Sequence, residues 1–167
     1  GLGLDKNNVE PTIYQIFLGE ATVEESRQTT CMPGLDLIPA NISLTGAEIE
    51  LIGAENREFI LKKALEPVLD QYDFILIDCP PSLNFITVNA MVAAHTILVP
   101  IQCEYFALEG LEQLLYTISL VKKRLNPTLE IEGIVFTMYD ARTNLSLQVV
   151  EEVKRSLGNS VYRTIIP

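Results

Sequence analysis

One carboxylate, Asp78, stands after four consecutive apolar residues and ahead of two prolines, in the run Asp-Phe-Ile-Leu-Ile-Asp-Cys-Pro-Pro-Ser at residues 73–82. Proline has no backbone N–H to give a sheet, so a strand over residues 74–77 must end there and present the acid at its carboxyl end. Apolar side chains at every position suit a strand covered on both faces of a parallel sheet, and such sheets bind ligands just beyond the carboxyl ends of their strands. An aspartate so placed can hold magnesium, directly or through its waters, and steady the charge on transferring phosphoryl oxygens. A strand-end aspartate that only caps the following helix has the same local pattern, and these ten residues leave both readings open.

The rest of a phosphate site is missing from these residues. Neither G-x-x-x-x-G-K-[ST] nor G-x-G-x-x-G occurs, and Gly1 and Gly3 are not followed by the Lys and Ser or Thr that a phosphate-binding loop needs. Ser82 lacks a G-x-S-x-G setting, and the single histidine, His95, lies beyond a predicted helix, so a serine nucleophile is unsupported and Ser82 is expected to cap the next helix. His95 is expected at a strand edge, and Cys79, facing away from Asp78, as a small core residue. A second candidate is the loop Tyr-Asp-Ala-Arg-Thr-Asn at 139–144, between a predicted strand and a predicted helix. Thr143 or Asn144 would cap that helix, leaving Arg142 either available to a phosphate or paired locally with Asp140.

The elements that must position these residues are readable from periodicity. Helices are predicted over 12–18, 44–51, 57–69, 85–93, 108–125 and 145–157. Strands are predicted over 35–39, 74–77, 96–100, 131–138 and 161–166. From residue 74 onward strand and helix alternate, which implies a doubly wound parallel sheet with right-handed crossovers, an α/β fold. In the 108–125 helix, Leu108, Leu111, Leu115, Ile118 and Leu125 recur at helical spacing and are expected in the core. Its basic end, Lys122 to Arg124, suits a helix C-terminus or equally a solvated surface. No linker or repeat interrupts the chain, so residues 1–167 are expected to form a single domain.

With 48% hydrophobic residues and 20% charged, the 167-residue chain can bury one sizeable core. The longest apolar run is broken by His95, Thr96 and Pro100, too short for a membrane span. Three cysteines without a C-x-x-C and one histidine support neither a disulfide framework nor zinc, and fit a reducing cytoplasm. The net charge of −10 opposes nucleic acid on average. Its distribution does not: residues 1–121 carry 5 basic and 17 acidic side chains, residues 122–167 carry 7 and 5. Any nucleic-acid face is expected in the C-terminal third.

Several segments together resemble the ParA/Soj family of chromosome and plasmid partitioning ATPases, which belongs with MinD to the deviant Walker-A class. They are Leu37-Ile-Pro-Ala, Gly46-Ala-Glu-Ile-Glu-Leu, Tyr72 through Leu83, Pro100-Ile-Gln-Cys-Glu-Tyr-Phe-Ala-Leu-Glu-Gly-Leu and Thr137 through Leu145. The likeness covers essentially the whole chain, including Gly1-Leu-Gly and the ending Tyr162 to Pro167. It implies a P-loop NTPase-like fold whose first strand and phosphate loop are not in this chain. It also implies that Asp78 is the Walker B acid, acting on Mg2+ through water, and that Pro80, Pro81 and Ser82 shape the nucleotide side of its strand. Thr137, Met138 and Pro167 would lie near the adenine of ATP. Family members dimerise around ATP, bind DNA without sequence preference and hydrolyse ATP when a ParB-type partner stimulates them. Arg142 matches a family DNA-contact position, and Arg163 is a further candidate.

The resemblance therefore implies a bacterial, cytoplasmic, nucleoid-associated ATPase of DNA partitioning, with no membrane partner. The family's Walker A loop and the aspartate that prepares the attacking water would precede Gly1. Residues 1–167 are thus expected to be an excerpt of a longer protein, unable to hydrolyse ATP alone. The alternatives are a non-catalytic interaction remnant of the same fold and a MinD-like positioning ATPase at a membrane.

Overall fold

A computed structural model describes the chain except for residue 1, residues 5–8, Pro81, residues 105–106 and Ala141. It divides into two compact units, Gly1–Ala93 and Ala94–Pro167, each with its own apolar core.

In the first unit, helix α1 (Ile13–Leu18) begins at a capping box. The Thr12 hydroxyl accepts the Tyr14 N–H, Gln15 Oε1 accepts the Thr12 N–H at 2.9 Å, and Gly19 ends the helix in the left-handed region at φ 72°. Thr22 and Glu25 repeat the box for the one-turn helix α2 (Val23–Ser26). A two-residue antiparallel pair, β1 (Gln28–Thr29) with β2 (Asp36–Leu37), leads to α3 (Leu44–Glu50). A 3-10 turn (Arg57–Phe59), α4 (Ile60–Leu65), a second 3-10 segment (Glu66–Gln71) and α5 (Phe85–Ala93) complete the unit. Ile16, Phe17, Val23, Ala47, Leu61, Leu65, Val68 and Phe85 form its core. Asn89 is wholly buried there. Its Oδ1 accepts the Leu61 N–H at 3.2 Å, and its Nδ2 donates to the carbonyls of Arg57 and Phe85.

The second unit is a parallel sheet in the order β3 (Thr96–Gln102), β4 (Glu130–Thr137), β5 (Val161–Ile165), with α6 (Ala107–Arg124) and α7 (Asn144–Leu157) as its crossovers. Of the leucine spacing expected in α6, Leu111 and Ile118 are buried and Leu108 and Leu115 pack on the core, while Leu125 lies one residue beyond the helix and is half-buried. Gly133 is required by close approach, because a Cβ there would meet the Tyr162 ring on β5. Among the described residues no helix is long and apolar enough to cross a membrane.

Four expectations are corrected. Residues 74–77 form no strand, and no strand of the described residues pairs with them. Phe74 and Leu76 are 85% and 91% exposed, and only Ile77 and the neighbouring Tyr72 pack on the first core. A ladder needs a partner edge, and an apolar run cannot supply one for itself. Residues 35–39 give only the short antiparallel β2, not a buried sheet strand. Cys79 is exposed, with its thiol turned back toward the Ile77 carbonyl at 3.7 Å. Ser82 is not the cap of α5: Asn84 Oδ1 accepts the Thr87 N–H at 3.1 Å, while the Ser82 carbonyl accepts the Thr87 hydroxyl at 2.7 Å.

Candidate functional site

Asp78 lies on the irregular segment ahead of α5, and it is exposed. Among the described residues no hydrogen bond or ion pair engages its carboxylate, so its lone pairs face solvent. Pro80 and Ser82 follow it along the same exposed segment, and Pro81 lies outside the described residues. The Asn84 cap then starts α5. The signal for Asn84 was present in the sequence, since Asn immediately before an apolar helical run is a preferred N-cap. Among the described residues no cluster of three or more His, Cys, Asp or Glu could hold a metal. A lone carboxylate nevertheless fits magnesium that takes its remaining ligands from phosphate oxygens and waters, which is the usual way Mg2+ is held in nucleotide sites.

In the second unit, Thr137, Met138 and Pro167 come together at the carboxyl end of the sheet. Thr137 is the last residue of β4, and its hydroxyl donates to the Ile101 carbonyl at 3.4 Å. Beyond β4 and β5 the chains stay paired: the Ile166 N–H donates to the Phe136 carbonyl at 2.8 Å and the Tyr139 N–H to the Ile166 carbonyl at 3.3 Å, next to Pro167. Met138, 68% exposed, occupies the left-handed region at φ 51°. That is an unfavourable conformation for a residue with a side chain, held here by the pairing on either side.

The following loop carries Arg142. Its guanidinium grips Asp140 through Nε to Oδ1 at 2.9 Å and NH2 to Oδ2 at 2.7 Å, while its backbone N–H also donates to Oδ1. Of the two readings open from sequence, the local pairing is the one the structure contains. The Arg142 side chain is still 89% exposed. The pairing holds the Asp140 carboxyl below the usual carboxylate range, mainly through the guanidinium hydrogen bonds and then through the backbone N–H, and it raises the Arg142 guanidinium in turn. Thr143 caps α7 by accepting the Ser146 N–H at 3.3 Å. Arg163 is exposed in the middle of β5. His95 is exposed just before β3, where its carbonyl accepts the Glu130 N–H. Cys103 is buried, and burial pushes its thiol up.

A family model for the AAA domain matches residues 1–131. Over 167 residues this chain is 53% identical to the sporulation initiation inhibitor protein Soj of Bacillus subtilis (strain 168), covering all of this chain and 66% of that protein. It is 49% identical to the chromosome partitioning protein ParA of Myxococcus xanthus (strain DK1622), covering 59% of that protein. The chain thus spans 59–66% of the length of these two curated relatives. Among solved structures, cobyrinic acid a,c-diamide synthase from Mycobacterium smegmatis with bound ATP analog and magnesium is 40% identical. It superposes with a TM-score of 0.86 over 92% of this chain and 63% of that one. The parallel sheet and its helices thereby share the fold of a protein that carries a nucleotide and magnesium.

Proposed function

Because the chain belongs to the AAA domain family and to its ParA/Soj partitioning ATPases, we propose that the whole protein is an ATPase of DNA partitioning, with residues 1–167 part of one ATPase domain. The observation that carries this reading is 49% identity, along every residue of the chain, to a chromosome partitioning protein. Asp78 is the magnesium acid, the role of a Walker B aspartate, acting through a coordinated water. Its exposed carboxylate, which engages no partner among the described residues, supports that role. Bound magnesium would neutralise charge on the phosphates. Pro80, with no backbone N–H to pair, and the exposed bend at Ser82 border the nucleotide. Thr137, Met138 and Pro167, close together in the second unit, border the base.

Arg142 and Arg163 contact the DNA backbone, whose phosphates are read by charge without sequence preference. ATP holds a homodimer together, a ParB-type partner stimulates hydrolysis, and the protein works in the bacterial cytoplasm on the nucleoid. The test uses the full-length protein. DNA binding should require ATP and magnesium, and Asp78→Ala should abolish hydrolysis without lowering the melting temperature, because the side chain it removes is exposed and engages no partner among the described residues. DNA binding indifferent to ATP would overturn the reading in favour of a non-catalytic interaction module.

A further inference from the structure

Helix α3 is apolar on two opposite sides. On one side Ala47 is fully buried, and Leu44 and Leu51 pack against the first core. On the other, Ile49 is 73% exposed, and Ile42 and Ile52 in the turns that flank the helix are 82% and 69% exposed. Single turns flank the helix at both ends, with the Thr45 N–H donating to the Ile42 carbonyl at 3.1 Å and the Ile52 N–H to the Ile49 carbonyl at 3.3 Å. Within α3 itself Thr45 and Ile49 lie on the side opposite Ala47, and Ile42 and Ile52 sit in the single turns at its two ends. Scattered single apolar residues on a surface are ordinary, but three strongly exposed isoleucines on one short helix and its two flanking turns are a second surface to cover.

The surroundings indicate what covers it. Glu48 and Glu50 flank Ile49 on either side of the helix. Glu50 accepts the Tyr14 hydroxyl at 2.8 Å, and Glu20 adds to the negative field at the same tyrosine. Residues 1–93 as a whole carry 14 acidic and 5 basic side chains. A second copy docked by the same face would set these glutamates against their own equivalents across a two-fold axis, and an anionic lipid surface would meet the same repulsion. A basic partner meets none.

We infer that the surface formed by Ile42, Ile49 and Ile52 is a docking surface for a partner protein's amphipathic helix, whose apolar stripe is flanked by Lys or Arg. The inference stands apart from the nucleotide and DNA reading. The partner's apolar side chains at helical spacing lie along the isoleucines, and its cations reach the rim at Glu48 and Glu50.

The experiment measures fluorescence anisotropy of a labelled synthetic helix of about five turns, with a leucine stripe flanked by lysines, against the full-length protein. A second peptide carries glutamate in place of lysine. The lysine peptide should bind about tenfold or more tighter than the glutamate peptide, and Ile49→Ser/Ile52→Ser should weaken it by about tenfold or more. Glu48→Gln/Glu50→Gln, which leaves the isoleucines in place, should also weaken it and flatten its salt dependence. Equal binding of the lysine peptide to the serine variant would overturn the inference. A clear drop in melting temperature for that variant would also overturn it, by showing that another segment of the same protein covers the isoleucines. Conversion of an oligomer to a smaller species in sedimentation would overturn it in favour of a second copy.

Discussion

At the scale of the residue, the Arg142 and Asp140 pair decides what the loop can do. A DNA phosphate must compete with a carboxylate that already takes three hydrogen bonds from the arginine's side chain and one from its backbone. Asp140→Asn should therefore raise the DNA affinity of the full-length protein severalfold, while Arg142→Ala should lower it and reduce the salt slope by about 1. Filter binding across a salt series checks both. The same pair sets a pH dependence. Because Asp140 is held below its ordinary range in the folded state, its contribution to stability is complete above that range and is lost as pH falls through the lowered folded value. In Arg142→Ala the Asp140 titration, followed by NMR, should return upward toward the ordinary range.

Met138 offers a second test at this scale, since it holds a left-handed backbone at an exposed position where glycine would fit without penalty. Met138→Gly should stabilise the fold by about 1 kcal/mol in denaturant unfolding. It should also weaken nucleotide binding if the side chain borders the base.

At the scale of the element, Asn89 ties α5 to the start of α4. Its amide satisfies the Leu61 N–H and the Arg57 carbonyl at a point where no water reaches, the residue being 0% exposed. Asn89→Ala should cost about 3 kcal/mol in urea unfolding, because it removes these bonds and leaves buried polar groups of the backbone unmatched. Asn89→Asp would keep the acceptor for Leu61 but turn a carboxylate toward the Arg57 carbonyl, and should rescue little. Of the helices, those carrying their own start and stop signals were legible in the sequence. Helix α5 occupies Phe85–Ala93 as expected, α1 begins at the Thr12 box and ends at Gly19, and the remaining long helices shift by only a residue or two at their ends. Residues 57–69 were read as one helix and are a 3-10, α and 3-10 succession, with Pro67 in the second 3-10 segment denying the backbone a hydrogen bond. The strand expected at 74–77 failed for a different reason: strand formation is a property of two edges, and one segment's composition describes only its own.

At the scale of the whole molecule, charge is divided as unevenly as the sequence showed: residues 1–93 hold most of the acid, while residues 94–167 carry 7 basic and 8 acidic side chains. DNA contacts should therefore come from the second unit. Lys62→Gln/Lys63→Gln in α4 should leave DNA affinity at fixed salt unchanged, whereas Arg142→Ala/Arg163→Ala should lose more than either single change, as electrophoretic mobility shifts would measure. By itself the sequence determined the family, the order of helices and parallel strands from residue 85 onward, and the place of Asp78 directly after an apolar run. Those depend on local chemistry: the period of apolar residues, caps, prolines and quoted motifs. Only the tertiary structure decided that Asn84 rather than Ser82 starts α5, that Arg142 is clamped on Asp140, that Met138 is held in a left-handed conformation, and that the isoleucines of α3 and its flanking turns are exposed. Each of these depends on which groups meet in space, and hydrogen-bond partners and burial are set by packing between segments that periodicity along the chain does not encode.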